Sequence, residues 1–190
     1  MKLKIYAGEL RRALQIVEGF TSRSKTRPIL TLVNVVKEGE QVYLYATDAY
    51  KGVRYHIQVV ENFDLTNFCI DPYFILKLLK LYSVSDFATV TIHTVGVDNF
   101  FIDIDTFHNI PLPANVEGNY PNLNDNFKFE SEQEELASFD IENLLSTLRQ
   151  FKKGSCSSIK LIKGIGNRVK LLGDYNDNIE AIVIQTRNFN

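Results

Sequence analysis

Between Ile29 and Ile57 the chain alternates apolar and polar positions in three runs divided by turn residues. Val42, Leu44 and Ala46 interleave with Tyr43 and Tyr45, the period of two expected of a half-buried strand. A strand is predicted before it, from Ile29 to Val36, and another after it, from Val53 to about Val60. Lys37 to Glu40 and Thr47 to Gly52 are the turns. Upstream, a short strand from Lys2 to Ala7 gives way to a period near 3.6. Leu10, Ala13, Leu14 and Val17 fall on one face of a helix from about Glu9 to Phe20. The unit is a strand, a helix and three antiparallel strands.

The unit recurs. A second copy begins with a strand at Asn67 to Ile70 and a helix at Asp71-Pro72, where an N-cap aspartate precedes proline at the first helical position. Phe74, Ile75, Leu78, Leu79 and Tyr82 form its apolar face. Strands follow at Ala88 to Thr94, Asn99 to Asp105 and around His108 to Leu112, where Pro111 and Pro113 stop the pattern. The polar segment Glu117 to Glu135 reads as a connector, with a short strand at Phe127 to Phe129. A third unit runs from a strand at Glu135 to Phe139 into a helix capped by Asp140 and ending near Lys152. Strands at Ser158 to Lys163, Arg168 to Gly173 and Ile179 to Thr186 complete it. The expected class is α+β, with antiparallel sheets and helices on one face. Two units make a domain over 1–123, and the third stands over 124–190.

Composition narrows the chemistry more than the fold. At 190 residues with 45% hydrophobic and 23% charged residues, the chain has the make-up of a globular protein with a sizeable core. Thirteen Phe and nine Tyr agree with sheet-rich structure. A net charge of -2 means that any nucleic-acid surface has to be local. Cys69 and Cys156 are far apart and no secretory leader pattern is present, so a reducing cytoplasm is expected. No apolar run reaches the ~20 residues of a membrane helix, and no membrane partner is expected.

Each helix exposes cations opposite its apolar face. These are Arg11 and Arg12 with Gln15 in the first, Lys77 and Lys80 in the second, Arg149 and Lys153 in the third. The loop between Thr21 and Arg27 adds Arg23, Lys25 and Arg27. With the helices on one side of the sheets, these residues would line one phosphate-facing surface. Solvated helix faces are the plainer reading, and Glu9, Glu18 and Glu142 support it. Catalytic groupings are poor. His56, His93 and His108 lie in predicted strands without metal-ligand spacing. Asp103 and Asp105 alternate as the outer face of a strand, and Asp48 fits a turn. Gly164 to Asn167 has no helix behind it and is no phosphate loop, and Cys156 reads as inert. Neither an enzyme nor a cofactor is expected; a metal-dependent nuclease built on Asp48, Asp103 and Asp105 is the remote enzymatic reading.

Several short stretches carry a family resemblance. Leu14-Gln15-Ile16-Val17, Arg27-Pro28-Ile29-Leu30, Ala46-Thr47-Asp48 and Tyr120-Pro121-Asn122-Leu123 occur in the order found in a domain of the bacterial DNA sliding clamp, the beta subunit of the replicative polymerase. Residues 1–123 resemble that domain; 124–190 follow it mainly in element order. The resemblance implies a ring around duplex DNA, held without sequence preference, with DNA polymerase and a clamp loader as partners. It places Arg11, Arg12, Gln15, Arg23, Lys25, Arg27, Lys77 and Lys80 toward DNA. An odd count of units implies a shortened relative or a piece of something longer. It also leaves the third helix's stripe, Ile141, Leu144, Leu145, Leu148 and Phe151, without a cover, so a homo-oligomer pairing that stripe across a two-fold axis is expected. The alternative is a clamp-like adaptor or inhibitor that binds a replication protein and never encircles DNA.

Overall fold

The computed structural model describes residues 1–24, 26–95, 99–104, 107–113, 119–123, 127, 141–154, 156, 158–163, 168–173 and 179–184. In chain order the elements are β1 (Lys2–Tyr6), α1 (Ala7–Val17), β2 (Val33–Glu38), β3 (Gln41–Thr47), β4 (Lys51–Ile57), β5 (Glu61–Phe63), β6 (Phe68–Ile70) and α2 (Pro72–Leu81). They continue with β7 (Thr89–Val95), β8 (Asn99–Ile104), β9 (Phe107–Pro111), α3 (Ile141–Lys153), β10 (Ile159–Lys163), β11 (Arg168–Gly173) and β12 (Ile179–Ile184). The repeat of strand, helix and three strands is present in the first two units, with β5 as an extra short strand, and the third shows its helix and three strands.

The strands form two antiparallel sheets, and the leading strand of each early unit crosses into the other's sheet. One sheet has the order β5-β1-β7-β8-β9, with Lys2 opposite His93 and Ile5 opposite Val90. The other has the order β10-β11-β12-β4-β3-β2-β6, with Val33 opposite Ile70. The third unit extends that second sheet: β12 pairs with β4, Ala181 lying opposite Val53. Tyr55, Val53 and Ala181 are all buried there, so the junction is packed as well as hydrogen-bonded.

The helices lie on one face of the sheets, with α1 in the middle and in contact with both α2 and α3. Leu10, Ala13, Leu14 and Val17 of α1 are fully buried, as the helical spacing requires, and Ile16 joins them. They share one core with Ile75, Leu78 and Leu79 of α2, Phe151 of α3, and strand residues of both sheets, Val90, Ile102, Val169 and Leu171 among them. The Asp71 carboxylate caps α2 by accepting the Phe74 N–H at 3.1 Å, with Pro72 at the first helical position. The opposite face of β3 carries a second, smaller cluster. Tyr45 packs edge-on to Phe127 with ring centroids 5.8 Å apart, and the Tyr120 hydroxyl donates to the Tyr45 carbonyl at 3.2 Å.

Three expectations are corrected. The strand drawn from Ile29 begins only at Val33, because Pro28–Thr31 winds into a 3-10 turn closed by the Leu32 N–H on the Ile29 carbonyl. Strand β4 stops at Ile57, short of Val60, and the chain turns into β5, which pairs with β1. The stripe of α3 is also not left open. Phe151 is 2% exposed within the shared core, and Leu144 and Leu148 pack partly buried against it. The cover is α1 and β12 of the same chain. Leu145, at 40% exposure, stands outside, and nothing is described of the Ile141 side chain. The strands at Glu135 to Phe139 and beyond Phe127, and the Asp140 cap, fall outside the described residues.

Candidate nucleic-acid interface

Helices α1 and α2 run side by side in opposite directions, and their polar edges enclose a groove. Its first end is pinned by the chain itself. The first two N–H groups of α1, at Ala7 and Gly8, donate to the carbonyls of Ala88 and Asp86 at 2.8 and 3.0 Å. Helix-start donors are thereby satisfied by the segment leaving α2. Arg11 follows them: its guanidinium donates to the Val84 carbonyl at 2.7 Å and is ion-paired with Asp86. Arg11, expected to face DNA, thus has a partner within its own chain. Its charge is neutralised within the chain, and no signal in the sequence linked it to an aspartate 75 positions away.

The groove, of about 640 Å³, is lined further along by Gln15 and Glu18 of the first unit and by Leu76, Leu79 and Lys80 of α2. Arg12, Gln15, Lys77, Lys80, Arg149 and Lys153 are all exposed, as are Arg23 and Arg27 on the loop. Lys25 lies outside the described residues. Glu18 shows how several of these groups converge. Burial raises its carboxyl above the ordinary value, while Lys153 of α3 and Arg23 of the loop pull it back down. Cations from two further elements thus sit around the end of α1. Among the predicted site residues, Lys80 and Gln15 line one groove, and Lys153 and Arg23 both act on Glu18.

The seam between α1 and α3 is close and partly polar. Lys51, at the start of β4, is 8% exposed; its ammonium donates to Ser146 Oγ at 2.8 Å and lies 5.4 Å from the Phe20 ring centroid. Burial lowers its pKa, with Asp48 opposing and Arg23 adding to the effect. Gly19 faces Gln150 so closely that an added Cβ would lie 2.2 Å from the amide carbon. Lys51 and Ser146 were not singled out in the sequence, where a lysine in a predicted turn looks solvated.

The remaining candidates settle into structural roles. Asp48 makes a turn, accepting the N–H groups of Tyr50 and Lys51 at 2.9 and 3.0 Å beside Ala49 at φ 81°. Asp103 faces two histidines on neighbouring strands, His93 Nε2 at 3.2 Å and His108 Nδ1 at 3.9 Å. Burial pushes its carboxyl up, but the Asn109 N–H at 2.7 Å, His93 and His108 outweigh this and leave it below the ordinary value. Asp48 and Asp103 belong to different sheets, and Asp105 lies outside the described residues. Among the described residues no group of three or more His, Cys, Asp or Glu could hold a metal ion. His56 packs its ring 5.3 Å from that of Tyr43. Neither Cys69 nor Cys156 is in a disulfide, and burial raises the Cys69 pKa to about 11. No helix among the described residues is long and apolar enough to cross a membrane.

No protein-family model and no curated protein matches the sequence. Solved structures do. The chain superposes along its whole length on the DNA polymerase sliding clamp of Bacillus subtilis, with a TM-score of 0.78 and 16% identity, and covers 65% of that chain. The fold is that of the bacterial sliding clamp. DNA polymerase III subunit beta of Borrelia burgdorferi gives 0.77 at 14% identity, with 99% of this chain and 64% of that one aligned. The beta subunit of Thermotoga maritima gives 0.69 at 13%, with 96% and 64% aligned. The chain thus spans a little under two-thirds of the length of these clamps, from end to end of its own sequence. Its exchanged leading strands and helix layer are parts of the clamp fold; identities this low speak to the fold alone.

Proposed function

We propose that the chain is a sliding clamp-like processivity factor: as part of a homo-oligomeric ring in the cytoplasm it encircles or tracks duplex DNA and tethers a DNA polymerase, with a clamp loader as second partner. The observation that carries this reading is the shared helix layer. Three helices of a clamp fold lie on one face, and each exposes cations there on a protein of net charge -2. Arg12 and Gln15, Lys77 and Lys80, Arg149 and Lys153, with Arg23 and Arg27, would meet phosphates through screened charge and water. Contacts of that kind hold a duplex without fixing its position, as sliding demands. The role is binding, with no catalytic step.

The test replaces one free cation on each helix, Arg12→Glu, Lys77→Glu and Arg149→Glu together. All three side chains are exposed, so the fold should survive, with far-UV circular dichroism unchanged. Binding to a labelled duplex is then followed against salt. Each phosphate contact contributes about 0.9 to the slope of log affinity on log salt, so the triple variant should lose up to roughly three units of slope. A wild-type protein without salt-dependent affinity for duplex DNA refutes the reading. If that protein instead binds a polymerase, the adaptor is the better description.

A further inference from the structure

A second groove, of about 660 Å³, opens where the first one ends, between the exit of α1 and the entrance of α2. Among the described residues its walls are Ser22, Arg23, Pro28, Thr31 and Tyr73, mostly carbon with one cation and no carboxylate. Tyr73 is 47% exposed although it sits in the first turn of a helix whose core face is well filled. Its position explains the exposure. Residues 73, 77 and 80 are spaced by four and three along α2, so Tyr73, Lys77 and Lys80 share one outward face. The aromatic ring belongs to the same surface as the cations read above as facing DNA.

An exposed ring beside an arginine, at the end of a track of cations, has the make-up of a nucleotide platform. Stacking on a tyrosine needs an unpaired base, because a duplex offers its base faces to nothing but neighbouring bases. We propose that this groove binds one unpaired nucleotide of a DNA single strand, its base stacked on Tyr73 over Pro28 and its phosphate at Arg23. The site lies at the entrance of α2, on the helix that also carries Lys77 and Lys80. The proposal rests on the DNA-facing reading of the helices. The charge argues for this occupant over an apolar peptide: among the described residues the charged wall residue is the cation Arg23, and Arg27 adjoins Pro28 outside it.

The experiment compares a blunt duplex with the same duplex carrying a single-stranded overhang. The overhang holds 2-aminopurine at its first unpaired position. Wild-type protein should bind the overhang substrate about five-fold or more tightly than the blunt one, and stacking should quench the probe. Tyr73→Ala should remove both effects and leave the blunt affinity unchanged, while Tyr73→Phe should keep them. Blunt-duplex binding with no gain and no quenching from the overhang overturns the nucleotide site and leaves the helix reading standing. Equal losses in Tyr73→Ala and Tyr73→Phe also overturn it. Failure to bind either substrate removes the helix reading itself.

Discussion

Replacing Phe151 by alanine tests whether the third unit is seated by its own chain. The ring is 2% exposed and packs against the backbone of Gly173, where an added Cβ would stand 3.1 Å from Phe151 Cδ1. A buried phenylalanine removes about 150–250 Å² from water, worth roughly 4–6 kcal/mol at ~25 cal/mol per Å². Alanine keeps the Cβ share of that, and the packed surroundings collapse only in part, so a loss of about 3–5 kcal/mol is expected. Against a domain stability of about 5–15 kcal/mol this is a large fraction. Leu145→Ala is the internal control: at 40% exposure it should cost under ~1 kcal/mol. The assay is urea unfolding followed by tyrosine fluorescence, convenient because the chain has nine Tyr and no Trp. Both midpoints should be independent of protein concentration if the cover is α1 and β12 of the same chain. A Phe151→Ala cost below ~1 kcal/mol, or a midpoint that climbs with concentration, would refute the seating.

Two smaller perturbations follow. Asp71→Ala removes the acceptor of the Phe74 N–H and should lower stability by about 1 kcal/mol, whereas Asp71→Ser should recover most of it; equal losses would show that the cap contributes nothing. Asp103 has its pKa held below the ordinary value, so its stabilisation is complete above the unfolded pKa near ~3.9 and vanishes as pH falls through the folded value. The stability difference between wild type and Asp103→Asn should therefore shrink as pH falls below about 4. A difference that stays constant down to pH 3 would exclude the linkage.

The sequence discloses best what depends on near neighbours. Spacing located the buried faces of α1 and α2, the Asp71-Pro72 start of α2, and the alternation of Val42, Leu44 and Ala46 in β3. Long-range pairing leaves no such trace. Nothing local in Lys2 to Tyr6 tells that this strand belongs beside Thr89–Val95 and not beside its own unit's strands. Periodicity marked the α3 stripe as apolar but could not name what covers it; the β4–β12 junction, between segments over a hundred residues apart, decides that. The pairing of Arg11 left no trace for the same reason, since its partner Asp86 lies beyond α2. Tyr73 was left off the apolar face of α2 and given no role. Its angular position, one turn before Lys77, carried the contrary signal.

The exchange of β1 and β6 between sheets also dictates when the chain can fold. Strand β1 finds its main partner only once Thr89–Val95 exists, and β4 its outer neighbour only once Ile179–Ile184 exists. Pairings of such sequence separation place the loop-closure entropy before the contacts that offset it, which slows the search. During synthesis the first helix and its three strands must wait with both sheets unfinished and apolar residues such as Ile5 unpaired. A chain cut at the turn after β5 would lack β7, β8 and β9 of one sheet and β6, β10, β11 and β12 of the other, and the open edges would be free to capture other chains. The order in which the ribosome delivers the strands therefore sets a period of vulnerability to aggregation that lasts almost until the last strand emerges.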